Sequence, residues 1–413
     1  MSKEKRISIL ILIVLTGFCV SVFYHYVLGA YNEQGYPYNT FLFAPVDRFS
    51  DFYRVLRSNQ DLNPYFGTQR MLQYPFLNFL GFIFSLMPLS YAIFTFILIV
   101  AEFMIVACSY SLKIEGQPTN WTNVFILSFL TFPFLFDIDR GNFDGIVFVF
   151  LATFMFFFTK EKFIFSAIFL SFAIAMKPFP AVFLLLFIAE KKFRETLIAV
   201  LSTAFISLIP LLIFKGGFFA NLSAALSISR FPDAIGSSGY FESNNFVFHS
   251  MSMFTIFKVY FIESGIIQRI DMSFFSSLYV KGVLLAFIPM GLYVIFLEKE
   301  LWKRVTVLSI AMVIFPQISG DYRLLYMLVP LFLFLTNETT SQSDYFYTVL
   351  FGLLLIPKNY YFFPNTITEG FHDFSISYPI NFFIMVLILL SIIVTGVLKT
   401  KGIPALKKAE AKY

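Results

Sequence analysis

Two aspartates in an early polar segment have a spacing suited to acid–base chemistry. Asp47 and Asp51 lie four residues apart within APVDRFSDFYRVLR, which would place both carboxylates on one face of a helix. Aromatic neighbours could keep Asp51 partly desolvated, and such a carboxylate can act as a general base towards a hydroxyl group. The alternative is a solvated loop whose aspartates form ion pairs with Arg48, Arg54 and Arg57.

Two basic residues further along the chain are candidates for holding an anion. Lys177 lies in AIAMKPFPAVFLLL, where two prolines interrupt an apolar helix, and a lysine at membrane depth is costly unless paired. Its alternative is a lysine that extends to the surface at a tight turn. Arg323 lies in GDYRLLY, where it could bind a phosphate through two nitrogens or simply pair with Asp321. Asp321 and Tyr322 are themselves candidates for binding a substrate.

The polar stretch DIDRGNFDG separates two strongly apolar runs. Asp137 and Asp139 have an Asp-x-Asp spacing that can hold a divalent metal ion, but such pairs are common and no third ligand accompanies them. We therefore predict no metal and no other cofactor. The same stretch contributes Arg140, Asn142 and Asp144 as polar side chains next to apolar helices.

His249 and Ser250, within SNNFVFHSMSMF, are the weakest candidates for contacting a substrate. A lone histidine is usually a polar residue whose hydrogen bonds are satisfied locally. The three histidines are well separated, and both cysteines lie in apolar runs. Neither a metal cluster nor a disulfide framework is indicated.

The elements that must position these residues are membrane helices. Of the 413 residues, 58% are hydrophobic and 13% are charged, and apolar runs of about 15 to 23 residues have the length that crosses a bilayer. We predict an all-α polytopic membrane protein with about twelve transmembrane helices in a single domain, residues 1–413. The first run follows MSKEKR without a cleavage site, which predicts a retained helix.

The basic residues predict the orientation of these helices. They concentrate in the two termini and in the short loops TKEK, EKKFRE and EKELWKR, and basic segments tend to stay in the cytoplasm. Both termini are therefore predicted to be cytoplasmic, and the polar motifs are predicted to lie on the outer face. The net charge of +5 follows from this topology and does not indicate a nucleic-acid partner.

The ordered set of motifs resembles a known family. RFSDFY and a following NPY, then DRGNFDG, then AIAMKPFPAVFLLL before EKKFR, then GDYRLLYMLVPL are similar to the polyprenol-phosphate-sugar-dependent membrane glycosyltransferases of glycosyltransferase family 87, in the GT-C superfamily. The similarity is strongest over residues 45–200 and 315–335. It implies a GT-C-type bundle with a helical module over 1–214, a long first outer loop, another outer loop over 215–273, and variable helices over 274–413.

The resemblance also implies roles for the candidate residues. The base would be an acidic residue of the first outer loop, which falls on Asp51, with Asp47 as the second candidate. Lys177, Arg140 and Arg323 would bind the donor phosphate. Two further residues of the same stretch as Arg140 would orient donor or acceptor hydroxyls, namely Asn142 and Asp144. The remaining aspartates of that stretch become helix-end charges or partners for Arg140, namely Asp137 and Asp139.

The implied activity is an inverting sugar transfer on the outer face of a bacterial inner membrane. The donor would be a sugar carried on a polyprenyl monophosphate within the membrane, and mannose is the sugar that the resemblance favours. The acceptor would be a hydroxyl of a cell-envelope glycan or lipid. One alternative is a transporter or flippase of lipid-linked glycans, which predicts polar residues throughout the spans and two related halves. Another is a surface-polysaccharide polymerase or ligase, which would use a diphosphate-linked donor.

Overall fold

The computed structural model describes residues 1–66, 74–230, 250–263, 272–337, 341, 343–360 and 375–400, and its regular elements there are all helices. The α-helices are α1 (Lys3–Tyr26), α2 (Ser50–Asn59), α3 (Pro75–Ser85), α4 (Leu89–Leu112), α5 (Trp121–Phe129), α6 (Phe132–Arg140), α7 (Asp144–Thr159), α8 (Phe163–Met176), α9 (Leu184–Ala189), α10 (Phe193–Ile213), α11 (Phe218–Arg230), α12 (Met253–Glu263), α13 (Met272–Leu292), α14 (Leu301–Ile314), α15 (Leu328–Thr336), α16 (Asp344–Leu355) and α17 (Ser377–Thr400). Three short 3-10 turns matter below, at Pro45–Asp47, Phe179–Phe183 and Asp321–Met327.

Several helices are long and apolar enough to cross a membrane. Five qualify among the described residues: Lys3–Tyr31, Leu89–Leu112, Phe193–Ile213, Phe274–Leu297 and Ser377–Lys399. The pair α5 and α6 would make a sixth if it is one span bent by 51°. The prediction of an all-helical, multi-pass membrane protein is confirmed. The predicted twelve spans are not confirmed, because several apolar helices are too short to qualify.

The breaks between helices follow the prolines. Helix α8 ends at Met176, and Lys177 is extended, with φ −146° and ψ 136°, as expected for a residue that precedes a proline. The chain continues as the Phe179–Phe183 turn and the short α9. The predicted interruption at Lys-Pro-Phe-Pro is therefore present. Pro133 likewise stands in the first turn of α6, where a proline costs no hydrogen bond.

The core is a large cluster of buried aliphatic and aromatic side chains. Helix α14 lies at its centre, because every residue from Trp302 to Ile314 is buried. It packs against α15, α17 and the Asp321–Met327 turn. Elsewhere α8 packs between α7 and α10, and α1 packs along α16. The segment 215–273, predicted as an outer loop, contains helices α11 and α12 in its described parts.

Two elements outside the long helices bring polar residues together. Helix α2 packs on α3 and α6, and the Asp321–Met327 turn packs on α6 and α7. The chain before α2 is fastened to α6 by Asp139, whose backbone oxygen accepts from Phe49 N at 2.8 Å and whose carboxylate accepts from Phe43 N at 2.9 Å. The junction of α6 and α7 therefore lies between α2 and the 3-10 turn.

Candidate active site

The stretch DIDRGNFDG forms the junction between α6 and α7. Gly141 ends α6 in the left-handed conformation, with φ 61° and ψ 41°, and its N–H and that of Asn142 bond back to the last turn, as glycine commonly does at a helix end. The side-chain oxygen of Asn142 then accepts from the Asp144 backbone N–H at 3.0 Å, near the start of α7. The chain thus turns sharply at Gly141 and keeps three alternating polar residues, Arg140, Asn142 and Asp144, close together.

Gly141 also sets how closely α2 approaches this junction. A Cβ atom at Gly141 would lie 2.7 Å from Phe49 Cδ1 and 2.8 Å from Phe52 Cβ, far inside ordinary contact distance. Phe52 is fully buried, so it has little freedom to move aside. Any side chain at position 141 would push away the helix that carries Asp51.

We therefore expect Gly141→Ala to lower both the stability of the protein and its activity. The left-handed backbone alone costs about 1–2 kcal/mol for a residue with a Cβ atom, and the contact with α2 adds to it. Thermal unfolding and activity assays would measure both effects. Gly116→Ala is the matched control, because Gly116 has φ 75° but no neighbour within 4 Å of its Cβ position. Equal loss of activity in both variants would contradict the role assigned to the contact.

Asp51 is held by two residues of the junction. Arg140 Nη2 donates to Asp51 Oδ1 at 2.6 Å, and Asn142 Nδ2 donates to Asp51 Oδ2 at 2.8 Å. The Arg140 guanidinium also lies 4.1 Å from the centre of the Phe43 ring. The Asp51 side chain remains 21% exposed, so its carboxylate is oriented and still accessible. The alternative, in which Asp51 pairs with Arg48, Arg54 or Arg57, is not what the described structure shows, since Asp51 pairs with Arg140 and Arg48 lies next to Asp139.

Lys177 turns towards the junction and is not a surface lysine. Its Nζ lies 2.6 Å from Asp144 Oδ2 and donates to Asn142 Oδ1 at 3.2 Å. Asp144 is fully buried, and its other carboxylate oxygen accepts from the Tyr326 hydroxyl. The lysine side chain is 14% exposed, and its Nζ lies 5.9 Å from the centre of the Tyr322 ring. The ammonium group therefore neutralises a buried carboxylate while it remains partly exposed itself.

Asn142 connects the two ion pairs. Its oxygen accepts from Lys177 and from the Asp144 backbone, which leaves its NH2 group to donate to Asp51. The orientation of the amide is therefore fixed by its partners. A continuous hydrogen-bonded series runs from Arg140 through Asp51, Asn142, Lys177 and Asp144 to Tyr326.

Arg323 adds a third cation with unused hydrogen-bond donors. Its guanidinium stacks on the Phe179 ring, 4.4 Å from the ring centre. Its Nε and Nη1 atoms are buried and have no hydrogen-bond partner in the described part of the chain. Its charge acts on Tyr74, where burial raises the pKa of the phenol and Arg323 opposes that rise. A buried guanidinium without an acceptor is costly, so this position suits a bound anion.

Tyr322 lies close to these groups. Burial raises the pKa of its phenol, and the nearby charges of Arg323 and Arg140 oppose that rise while those of Asp144 and Asp51 add to it. Its ring is half-buried, and its hydroxyl makes no hydrogen bond within the described residues. The structure therefore places an aromatic side chain next to Lys177.

Asp47 lies differently from expectation, whereas Asp137 and Asp139 lie in the last turn of α6, as predicted for helix-end charges. Asp47 belongs to the 3-10 turn Pro45–Asp47 and is exposed, while Phe49 has a left-handed backbone that separates this turn from α2. Asp47 and Asp51 therefore do not share a helix face. Asp139 lies 3.5 Å from Arg48 and does not pair with Arg140. Asp137 is fully buried, and its two carboxylate oxygens have no hydrogen-bond partner among the described residues.

Other candidates lie away from the hydrogen-bonded series. Asp321 is fully buried and faces Ser377 and Asn381, with oxygen–donor distances of 3.4 and 3.5 Å. Burial raises the pKa of its carboxyl to about 7, against the opposing charge of Lys358. It neither pairs with Arg323 nor reaches an open surface, so it is not placed to contact a substrate.

Of the two candidates His249 and Ser250, the structure describes only Ser250. Ser250 is buried, and its hydroxyl accepts from Ser319 N at 2.9 Å, which fastens the segment before α12 to the loop before the Asp321–Met327 turn. His249 lies outside the described residues. No group of three His, Cys, Asp or Glu side chains within the described ranges is arranged to hold a metal ion.

Sequence reasoning missed Tyr326 and Phe179. Tyr326 stands three residues after Arg323, so both side chains lie on one side of a 3-10 turn. That spacing was visible in GDYRLLY, but only the hydrogen bond from Tyr326 to Asp144 shows that Tyr326 belongs to the site. Phe179 belongs to Lys-Pro-Phe-Pro, and its stacking on Arg323 depends on a tertiary contact that no local pattern shows.

Comparison with known proteins identifies a family. The sequence profile of glycosyltransferase family 87 matches residues 72–316, which is more than half of the chain. The junction residues and Lys177 fall within the matched segment, whereas Asp51 precedes it and Arg323 follows it. No curated protein matches the chain.

Proposed function

This chain belongs to glycosyltransferase family 87 and is a membrane glycosyltransferase, and from that membership we propose that its donor is a sugar on a polyprenyl monophosphate. The acceptor is a hydroxyl of a cell-envelope glycan or lipid. The reaction takes place on the outer face of a bacterial inner membrane, with both termini cytoplasmic. Mannose is the first sugar to test.

One observation supports this donor most directly. An accessible carboxylate, Asp51, is joined through Asn142 to Lys177. Two buried nitrogens of Arg323 have no hydrogen-bond partner among the described residues. A phosphate monoester leaving group needs such cations, and an acceptor hydroxyl needs such a carboxylate. Arg140, which we first expected at the phosphate, is already paired with Asp51, so its proposed role is to orient the base.

The proposed step is a direct displacement with inversion. The acceptor oxygen attacks the anomeric carbon as its proton passes to Asp51. The bond between the anomeric carbon and the phosphate oxygen breaks, and its electron pair leaves with the polyprenyl phosphate. Lys177 and Arg323 stabilise the negative charge that grows on the phosphate, and these interactions strengthen as the bond breaks.

A donor comparison tests this proposal. Purified enzyme in nanodiscs would receive labelled mannose on a polyprenyl monophosphate, on a polyprenyl diphosphate or on a nucleotide, with an alkyl mannoside as acceptor. We expect transfer from the monophosphate only, with release of polyprenyl phosphate, and a raised donor KM in Arg323→Gln because a phosphate contact is lost. Transfer from the diphosphate alone would contradict the proposal and favour the polymerase or ligase alternative.

A further inference from the structure

Helix α2 carries exposed arginines on the same element as Asp51. The helix is amphipathic, and Phe52, Val55 and Leu56 are buried at 0%, 3% and 4% exposure against α3 and α6. Its opposite side is exposed and consists of Arg54, Arg57 and Gln60.

These arginines have no anionic partner in the described structure. Neither Arg54 nor Arg57 forms an ion pair, and the nearby exposed carboxylates Asp47 and Asp61 do not reach them. Asp51, three residues before Arg54, is taken by Arg140. Two neighbouring guanidinium groups therefore present free donors beside the proposed base.

The helix geometry sets the distance between these cations and the base. Residues three apart on a helix are neighbours about 5–6 Å apart at Cβ, so Arg54 is one turn and Arg57 two turns from Asp51. An anion bound there would lie within about one or two turns, roughly 5–10 Å, of the hydroxyl that Asp51 deprotonates. That distance corresponds to a neighbouring sugar residue of the same acceptor.

We infer that Arg54 and Arg57 bind a phosphate or carboxylate group of the acceptor, one sugar away from the reacting hydroxyl. The inference rests on the proposed function, because it takes Asp51 as the base. It makes the acceptor an anionic glycan or an anionic glycolipid. Arginine suits this role because its planar guanidinium group can form two parallel hydrogen bonds with either a phosphate or a carboxylate.

Anionic headgroups of the bilayer are the competing source of the same chemistry. A helix that lies in the membrane interface inserts its apolar face between the lipids. The buried apolar face of α2 is instead covered by α3 and α6, so this face does not insert between lipids. The arginine face is therefore assigned to the acceptor.

Equilibrium binding without donor tests the inference separately from catalysis. The probes are octyl mannobioside and the same glycoside with a phosphate monoester on its reducing-end sugar, bound to purified protein in phosphatidylcholine nanodiscs. We expect the phosphorylated glycoside to bind about tenfold more tightly, and Arg54→Gln/Arg57→Gln to remove that preference while binding of the neutral glycoside is unchanged. The control is Arg194→Gln, another exposed arginine without an ion pair in the described structure.

The outcomes separate the possibilities. Equal affinity of wild-type protein for both glycosides, or an unchanged preference in the double variant, overturns the inference. A preference that disappears in wild-type protein once phosphatidylglycerol is added shows that lipid headgroups occupy the arginines, and also overturns it. A failure of the donor comparison with an intact binding preference would reject the proposed donor but not the anion site.

Discussion

Replacing Asp51 by asparagine is expected to abolish sugar transfer while the protein still folds. A general base contributes roughly 10²–10⁴ in rate, and an amide cannot accept the acceptor proton. Asparagine keeps the shape of the side chain and one of its two acceptor oxygens, so only one of the two hydrogen bonds, from Arg140 or from Asn142, is retained. The loss should appear in kcat, with little change in donor KM, in assays with purified enzyme and labelled donor.

Asp47→Asn is the matched control for this variant. Asp47 lies four residues earlier, is exposed, and forms no ion pair in the described structure, so its loss should leave transfer unchanged. Thermal unfolding of both variants excludes a folding defect as the cause. Full activity in Asp51→Asn would reject Asp51 as the base. Loss of activity in Asp47→Asn alone would assign the base to Asp47 instead.

Replacing Lys177 by methionine is expected to lower both the stability and the activity. Asp144 is fully buried and would lose its cation, and removing one partner of a buried ion pair costs about 3–5 kcal/mol. Because Lys177 is 14% exposed, the lower end of that range applies. The loss of a cation at the developing phosphate charge should lower kcat by roughly 10²–10³.

The double variant Lys177→Met/Asp144→Asn separates these two effects. It removes the buried charge together with its partner, so the unfolding temperature should return towards that of the wild type. Transfer should stay as low as in Lys177→Met, because no cation has been restored. Recovery of transfer along with stability would show that Lys177 only balances Asp144 and takes no part at the phosphate.

The local motifs predicted which residues converge, but the pairing partners required the tertiary structure. Lys-Pro-Phe-Pro indicated a helix break with a lysine that needs a partner, and the polar junction after α6 supplied that partner. The pairing of Arg140 with Asp51 was not predictable, because 89 residues separate them. The prediction for Asp47 assumed one continuous helix, whereas the left-handed Phe49 ends the 3-10 turn before α2 begins.

The positions of the helices were also predictable from local sequence, whereas their surroundings in the folded protein were not. Hydropathy found the apolar runs, because burial in protein and burial in lipid both require apolar side chains. It could not separate these two environments, and α14, which is buried by protein along nearly its whole length, was predicted in the same way as helices that face lipid. It also could not show that α5 and α6 bend by 51° between Phe129 and Phe132, since the two helices together are apolar enough to be one span.

The hydrogen-bonded series around Asn142 has a consequence for how the protein is made. Its contacts join positions that are 33, 89 and 182 residues apart in the chain. Membrane helices insert before they pack against one another, so Lys177 and Asp144 enter as separate charges and pair only when α7 and α8 meet. Tyr326 and Arg323 are synthesised much later. The growing chain therefore lacks part of the proposed phosphate site until Arg323 and Tyr326 have been made, and we expect sugar transfer to begin only after these residues have packed against α6 and α7.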